Sequence, residues 1–217
     1  MTPKSALCLL FMLFTPMVAV AMSGGVEKDS VAVETKKSLY QGYIGGVMVH
    51  GGYGFGGVLT PTGSSVGIPV EGFAAGIGGR LLVNLGDNFR VGTEGYVSTI
   101  TYGEHRKADI GWGGLAVDYG WQVDKFRPYF GVTIGGGAYE NMTTIDEPLN
   151  DNSAQEVVWH SYGVFLVVPY VALEYSVTQK IRLCFRLDWI TSPTASSGSF
   201  TDFSSGPRLH LGFMFAH

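Results

Sequence analysis

The seven arginines of this chain are the clearest candidates for a chemical role, and their placement indicates ion pairing with carboxylates. The segment 181–189 alternates apolar side chains with Arg182, Cys184, Arg186 and Asp188. Because successive side chains of a β-strand point to opposite faces, one face of this segment is apolar and the other is charged. Guanidinium groups stay ionised and form bidentate pairs with carboxylates. The pattern therefore predicts ion pairs on one face and a second face made for an apolar environment.

The chain is rather apolar, yet no internal segment suits a membrane helix, and an uncleaved anchor is the alternative only for the amino-terminal apolar run. Charged residues make up 15% of the 217 residues, aromatic residues make up 13%, and glycine occurs 32 times. The longest apolar run, 157–175, is interrupted by His160, Gly163, Pro169 and Glu174. Charges turned inward and apolar faces turned outward suit a lipid environment. Strands that cross a bilayer must close into a barrel, because lipid offers no partner to unpaired backbone groups.

Eight strand-like segments must position these side chains. Their connections alternate between long and short, as in transmembrane barrels that have long loops at one end and tight turns at the other. The longest predicted loop is 139–157, which is acidic. The fold predicted is all-β, an eight-stranded antiparallel up-and-down transmembrane β-barrel. The first and sixth segments are apolar on both faces, so their orientation stays open. The predicted strands are 40–56, 70–84, 89–101, 110–121, 126–138, 158–175, 180–190 and 206–215.

The face assignment collects most of the arginines in the lumen of this barrel. An eight-stranded barrel is only wide enough for side chains to fill it, so charges inside it must pair. Six arginines against four carboxylates leave a nominal excess of two positive charges. We expect a packed salt-bridge network, and the alternative is a narrow path that prefers anions. The predicted lumen network consists of Arg80, Arg90, Glu94, Asp118, Arg127, Glu174, Arg182, Arg186, Asp188, Arg208 and His210.

The sequence offers little for catalysis. His160 and Ser161 are adjacent, so in a regular strand their side chains lie on opposite faces and cannot form a hydrogen-bonded nucleophile and base. His50 and His105 are isolated, and His, Cys, Asp and Glu show no metal-binding spacing. We therefore expect no catalytic residues, no cofactor and no metal. A lipid A-modifying enzyme remains the third alternative, after the barrel with a packed lumen and the channel.

The amino-terminal segment has the features of a secretory signal. Lys4 precedes an apolar run over 6–14, and Ala19-Val20-Ala21 is a small-residue cleavage site. The formal net charge of −4 argues against a nucleic-acid partner. These features predict a signal peptide over 1–21, a flexible periplasmic lead-in over 22–39 and an outer-membrane barrel over 40–217.

Two phrases of the sequence carry a family resemblance. Residues 127–137 have the pattern RPY-aromatic-G-x-x-x-G-x-G, and residues 209–215 alternate apolar side chains up to Phe215. Both phrases resemble strands of the small eight-stranded outer-membrane barrels, the OmpA-like and OmpX-like group, over about residues 40–215. The resemblance implies a protein of the outer membrane of a Gram-negative bacterium, in contact with lipopolysaccharide and phospholipid, whose last strand is recognised by the barrel-assembly machinery. We further expect a monomer.

The expected function is that of a non-enzymatic outer-membrane barrel. Its surface loops would mediate adhesion, host interaction or envelope integrity, with the acidic segment 139–157 as a candidate surface for a host or cell-surface ligand. A small anion-preferring channel is the first alternative. A soluble barrel of lipocalin type is the competing fold, and that fold requires an apolar interior.

Overall fold

β-Strands make up all the regular secondary structure in the described part of the chain. The computed structural model describes residues 39–60, 67–103, 106–145, 156–193 and 203–217, so the predicted signal peptide and residues 22–38 of the lead-in lie outside it. Within these ranges no helix has the length and apolar character needed to cross a membrane. The strands are Tyr40–Leu59 (β1), Ile68–Leu85 (β2), Phe89–Tyr102 (β3), Arg106–Gly120 (β4), Phe126–Ile145 (β5), Glu156–Ser176 (β6), Ile181–Ile190 (β7) and Gly206–Ala216 (β8).

The eight strands form one closed antiparallel barrel. Each strand pairs with its neighbours in sequence, and β8 returns to pair with β1. The closing ladder runs from Ile44 opposite Ala216 to Gly52 opposite Arg208. Closure removes the edge strands that an open sheet would present. The predicted eight-stranded antiparallel barrel is confirmed.

The barrel wall is apolar outside and carries its charges inside. On β8, Leu209 and Phe213 are 51% and 58% exposed, whereas Arg208 and His210 are buried. The same alternation runs along β2, β3 and β4, as their sequences predict. This distribution is the reverse of that in a soluble barrel, where large apolar side chains fill the interior and charges face water.

The two strands with apolar residues on both faces bury one face only. On β6, Val164, Leu166 and Val168 are buried in the lumen, while Phe165 and Val171 are exposed on the outer wall. On β1, Met48 and His50 face inward by the same alternation. The inward aliphatic side chains of β6 fill the lumen above its charged region, so apolar residues occur on both faces of that strand.

The strands extend further toward the loop end than the sequence indicates. β5 continues to Ile145 and β6 begins at Glu156, so the predicted loop 139–157 shortens to 146–155, which lies outside the described residues. The β3–β4 connection is only 103–105. The predicted strict alternation of long and short connections is therefore wrong. Backbone pairing continues through polar residues such as Glu140, which lies opposite Asp109 on one side and Ser161 on the other.

Candidate functional site

The lumen holds a continuous network of four buried arginines and four buried carboxylates. The arginines come from β2, β3, β7 and β8, and the carboxylates come from β3, β4, β6 and β7. Each of the eight residues is at most 5% exposed. Their formal charges cancel, which is the balance that ions out of water require. These residues are Arg80, Arg90, Arg186, Arg208, Glu94, Asp118, Glu174 and Asp188.

The half of the network nearer the loops is centred on two carboxylates. Arg186 donates from Nη1 and Nη2 to the two oxygens of Glu94 at 2.6 and 2.9 Å, and from Nη2 to Asp188 at 2.9 Å. Arg208 donates to both oxygens of Asp188 at 2.9 and 3.0 Å. His210 Nε2 lies 2.8 Å from Asp188 Oδ2. Two planar guanidinium forks thus fix the orientation of the carboxylates.

The other half repeats this arrangement. Arg90 donates to both oxygens of Asp118 at 2.6 and 3.2 Å, and from Nη1 to Glu174 at 2.7 Å. Arg182 donates to the second oxygen of Glu174 at 3.1 Å. Arg80 joins the halves, because its Nη2 donates to Asp118 at 2.9 Å while its Nε lies 3.6 Å from the Glu94 carboxylate.

Two arginines, Arg127 and Arg182, are in excess of the four carboxylates, and both lie at the end of the lumen away from the loops. Arg182 has a side chain that is 22% exposed. Arg127 donates to the backbone carbonyls of Asp87 and Asn88 at 3.3 and 3.0 Å rather than to a carboxylate of the network. The eight residues that are at most 5% exposed are therefore neutral as a set, and the excess positive charge of Arg127 and Arg182 lies at this end of the lumen. This location weakens the charge argument for an anion-preferring path.

Two tyrosines that the sequence analysis did not select belong to the network. Arg80 donates to the hydroxyl oxygens of Tyr129 and Tyr170 at 3.1 and 3.0 Å. The guanidinium carbon of Arg90 lies 4.4 Å from the ring centroid of Tyr129, and that of Arg186 lies 3.9 Å from the Tyr170 ring, both within cation–π distance. Strand parity could have found them, since Tyr129 lies two positions from Arg127 and Tyr170 four positions from Glu174.

His50 is not isolated, contrary to the sequence-based prediction. Its Nε2 lies 2.7 Å from the hydroxyl oxygen of Ser98, and its ring centroid lies 4.7 Å from that of His210. The β1–β8 register places the two histidines opposite each other. The orientation of β1 was left open by its two apolar faces, so the inward position of His50 could not be assigned.

His160 and Ser161 lie in a regular part of the β5–β6 ladder. They face Asn141 and Glu140, and the register has no shift along this pairing. Their side chains therefore alternate between the two faces and do not combine into a nucleophile and base. His105 lies outside the described residues. Within the described ranges, no group of three or more His, Cys, Asp and Glu side chains could hold a metal ion.

Apolar side chains fill the loop end of the lumen above the network. The ring centroid of the fully buried Tyr139 lies 5.4 Å from that of Phe203, which reaches in from the β7–β8 connection. A cavity beside Ser98 and Arg208 has a volume of about 20 Å³, room for roughly one water molecule. Side chains thus fill much of the lumen between the charged layer and the loop end. This apolar layer contains Leu59, Val70, Ile100, Tyr102, Ile110, Tyr139 and Phe203.

Several solved structures are similar to this chain. Neisserial surface protein A is 14% identical, with 83% of this chain and 98% of that chain covered and a TM-score of 0.49. Ail of Yersinia pestis, solved in complex with the heparin analogue sucrose octasulfate, is 8% identical, with 82% and 100% covered and a TM-score of 0.47. OprG from Pseudomonas aeruginosa is 11% identical, with 82% and 97% covered and a TM-score of 0.47. No protein-family model and no curated protein matches the chain.

Proposed function

We propose that this chain is an integral, non-enzymatic β-barrel protein of the outer membrane of a Gram-negative bacterium. The observation that carries the proposal is the inverted wall, with large apolar side chains exposed all round the outside and ion pairs buried inside. Exposing such an outer surface to water costs roughly 25 cal/mol of free energy for each Å² of apolar area, whereas contact with lipid has no such cost. The closed backbone ladder leaves no open sheet edge whose unpaired N–H and C=O groups would face lipid.

The height of the apolar wall agrees with a bilayer. On β4 the outward positions from Gly111 to Trp121 are apolar, and Asp109 is the first charged position beyond them. Ten residues of strand measure about 33 Å, which becomes roughly 25 Å along the membrane normal at the usual strand tilt. The hydrocarbon-facing band of outer-membrane barrels has the same height.

Aromatic side chains border this wall. Tyr119 and Trp121 lie at the end away from the loops, as do Tyr175 and Phe215. Two pairs of these rings lie close together, Tyr119 with Trp121 at 6.4 Å between centroids and Phe126 with Tyr175 at 5.1 Å. Rings with one polar atom favour the level of the lipid headgroups, so these residues support a fixed depth in the membrane.

The lumen network stabilises the barrel in this proposal and does not conduct. Its eight most deeply buried members are charge-neutral as a set, are held by bidentate pairs and are covered by the apolar layer that contains Tyr139 and Phe203. The partners are lipopolysaccharide and phospholipid around the wall and the barrel-assembly machinery during insertion, and the barrel acts as a monomer. The loop end then remains as the surface for adhesion, host interaction or envelope integrity.

The hairpin of β5 and β6 is the candidate contact surface at that end. Both strands continue beyond the last apolar row of the wall and carry the connection 146–155, whose acidic residues are Asp146, Glu147 and Asp151. A deletion should therefore be confined to 146–155, because residues 139–145 belong to the barrel ladder. Loss of cell or matrix binding with an intact barrel would assign adhesion to this hairpin, with a deletion within 194–202 as the matched control.

Heat-modifiability of the full chain in isolated outer membranes tests the proposal. Boiled and unboiled samples are compared on a denaturing gel, after separation of the outer membrane from periplasm and inner membrane. We expect the protein in the outer-membrane fraction and a shift in mobility on boiling, because a closed ladder resists detergent until heated. A soluble periplasmic protein without a shift would refute the proposal.

A further inference from the structure

We infer that the mouth of the lumen away from the loops binds one phosphate group, with Arg127 and Arg182 as its cationic contacts. Both arginines lie at this mouth, where Arg127 is 8% exposed and the Arg182 side chain is 22% exposed. The site is separate from the outer wall and from the loops. The inference rests on the proposed function in one respect, since a location in the outer membrane makes this mouth periplasmic.

Arg127 is a buried cation without a carboxylate partner. Its Nη1 and Nη2 donate to the backbone carbonyls of Asp87 and Asn88 at 3.3 and 3.0 Å, and the Asn88 carbonyl also accepts from the backbone N–H of Gly120 at 3.0 Å. Its Nε is buried and has no hydrogen-bond partner among the described residues. The lumen carboxylates of the described residues form their ion pairs with other arginines and with His210. Neutral carbonyls do not cancel a charge, and an uncompensated charge out of water is costly.

The two carboxylates on this side of the network already have partners. Glu174 lies directly opposite Arg127 in the β5–β6 ladder. Its two oxygens nevertheless accept from Arg90 at 2.7 Å and from Arg182 at 3.1 Å. Asp118 accepts from Arg90 and from a second arginine across the lumen. This side of the network therefore has four guanidinium groups for two carboxylates, an excess of two positive charges. The four groups belong to Arg80, Arg90, Arg127 and Arg182.

The connections at this end do not supply the missing negative charge. The β2–β3 and β4–β5 connections carry Asp87 and Asp124. Lys125 and Lys180, in the β4–β5 and β6–β7 connections, cancel these two charges. The Asp87 carboxylate accepts from the Gln41 side chain at 3.1 Å. The excess positive charge at the mouth is thus left for an anion that enters from the periplasm.

Arg182 makes the mouth accessible to such an anion. Its one hydrogen bond among the described residues runs from Nη1 to Glu174, so the two protons of Nη2 remain for a ligand. Guanidinium and phosphate groups form parallel, charge-assisted hydrogen bonds in one plane. Arg182 therefore supplies the exposed donors, and the more deeply buried Arg127 supplies the second positive charge.

The size of the charge excess favours phosphate over other anions. A phosphate monoester carries a charge of about −1.5 to −2 at pH 7 and has three strong acceptor oxygens. A carboxylate or a chloride ion carries a single negative charge. A phosphate group thus balances more of the excess than either of them.

Two sources present a phosphate at this height. Phe126 and Tyr175 belong to the aromatic border of the wall, so the adjacent Arg127 and Glu174 lie near the level of the phospholipid headgroups. The phosphodiester of a phospholipid carries one negative charge, and the barrel wall separates the lumen from lipid. Free phosphate or a monoester in the periplasm carries the larger charge and reaches the lumen directly. We therefore expect the free form as the occupant.

Phosphorus-31 NMR of inorganic phosphate tests the inference, with the full-length barrel folded in a detergent that has no phosphate group. The phosphate signal should broaden in a saturable manner, with one site per barrel. Arg127→Gln combined with Arg182→Gln should weaken binding about tenfold, the effect of losing one hydrogen bond to a charged group. Lys125→Gln combined with Lys180→Gln is the matched control. It removes two positive charges at the same end and should change the affinity less than about twofold, because exposed charges are screened by salt.

Competition identifies the source of the phosphate. Phosphatidylglycerol with short acyl chains is added to the barrel in the presence of inorganic phosphate. We expect the lipid to displace inorganic phosphate only at concentrations above the dissociation constant of inorganic phosphate, because the diester has the smaller charge. Displacement at lower concentrations would keep the two arginines as the site and assign it to a lipid headgroup.

Heat-modifiability of every variant shows which barrels are folded. If the double arginine change prevents folding, Arg182→Gln alone carries the test, because this side chain is partly exposed. A folded barrel without saturable binding, or one that loses binding equally in the arginine and lysine variants, would overturn the inference alone. A soluble wild-type protein without a heat shift would instead refute the proposed function.

Discussion

At the scale of single residues, Arg80 holds the two halves of the lumen network together. It donates to Asp118 on one side and lies 3.6 Å from the Glu94 carboxylate on the other, and it also donates to the hydroxyl oxygens of Tyr129 and Tyr170. Groups that share partners in this way do not contribute independently to stability. A change at one member of the network is therefore felt by several carboxylates.

Glu94→Gln should lower the free energy of unfolding in lipid vesicles by about 3–5 kcal/mol, the cost of leaving a buried charge unpaired. Arg186 donates to both oxygens of Glu94, and Thr133 donates to one of them at 2.5 Å. Glutamine at this position has no negative charge, and its amide NH₂ group would point at one of these hydrogen-bond donors. Urea unfolding measured by tryptophan fluorescence checks this value.

The matched control is Glu71→Gln, the same chemical change at an exposed position on the outer face of β2. It should alter the unfolding free energy by less than about 1 kcal/mol. Equal losses for the two variants would mean that the buried network does not stabilise the barrel.

At the scale of the strand, β4 carries two kinds of glycine that differ in what surrounds them. Gly114→Ala should reduce the unfolding free energy by about 1–3 kcal/mol, because its Cβ would lie 2.5 Å from the Ile134 carbonyl oxygen. Gly111→Ala should be neutral or slightly stabilising, because alanine restricts the unfolded chain and has room at this position. The folded fraction on unboiled gels after refolding into vesicles compares the two, and the reverse order would contradict this assignment.

The faces of the strands could be predicted from sequence, but their ends and their cross-lumen partners could not. Period-two alternation assigns Leu209 and Arg208 to opposite faces without any tertiary information. The loop-side end of β5 is different, because pairing there continues through Glu140 and Asn141, whose polarity indicates a loop. The partner of Arg90 is also hidden, since Glu174 lies 84 residues away and on a strand three places along the barrel.

At the scale of the whole molecule, two layers of different chemistry fill the lumen among the described residues. The eight most deeply buried residues of the ion-pair layer are neutral as a set, and the apolar layer with Tyr139 and Phe203 lies between them and the loop end. An ion that crosses both would have to break bidentate pairs and then pass through a layer of mostly apolar side chains. Each step alone costs several kcal/mol.

Reconstituted into planar bilayers, the protein should show no steady ion conductance above that of the lipid. Single-channel recording at both polarities checks this expectation, with protein that passes the heat-shift test. Anion-selective steps that change in Arg186→Ala would refute the closed lumen and restore the channel interpretation.

The ladder between β1 and β8 has a consequence for the order of assembly. His50 pairs with His210, which lies 160 positions further along the chain. This pairing therefore forms only after the rest of the barrel sequence is present. Contacts of such high sequence separation form slowly. Until then β1 presents an unpaired and largely apolar edge, which is the kind of surface that aggregates in water. The barrel therefore cannot close before its last strand is available, and its first strand must be shielded from water until that strand pairs with it.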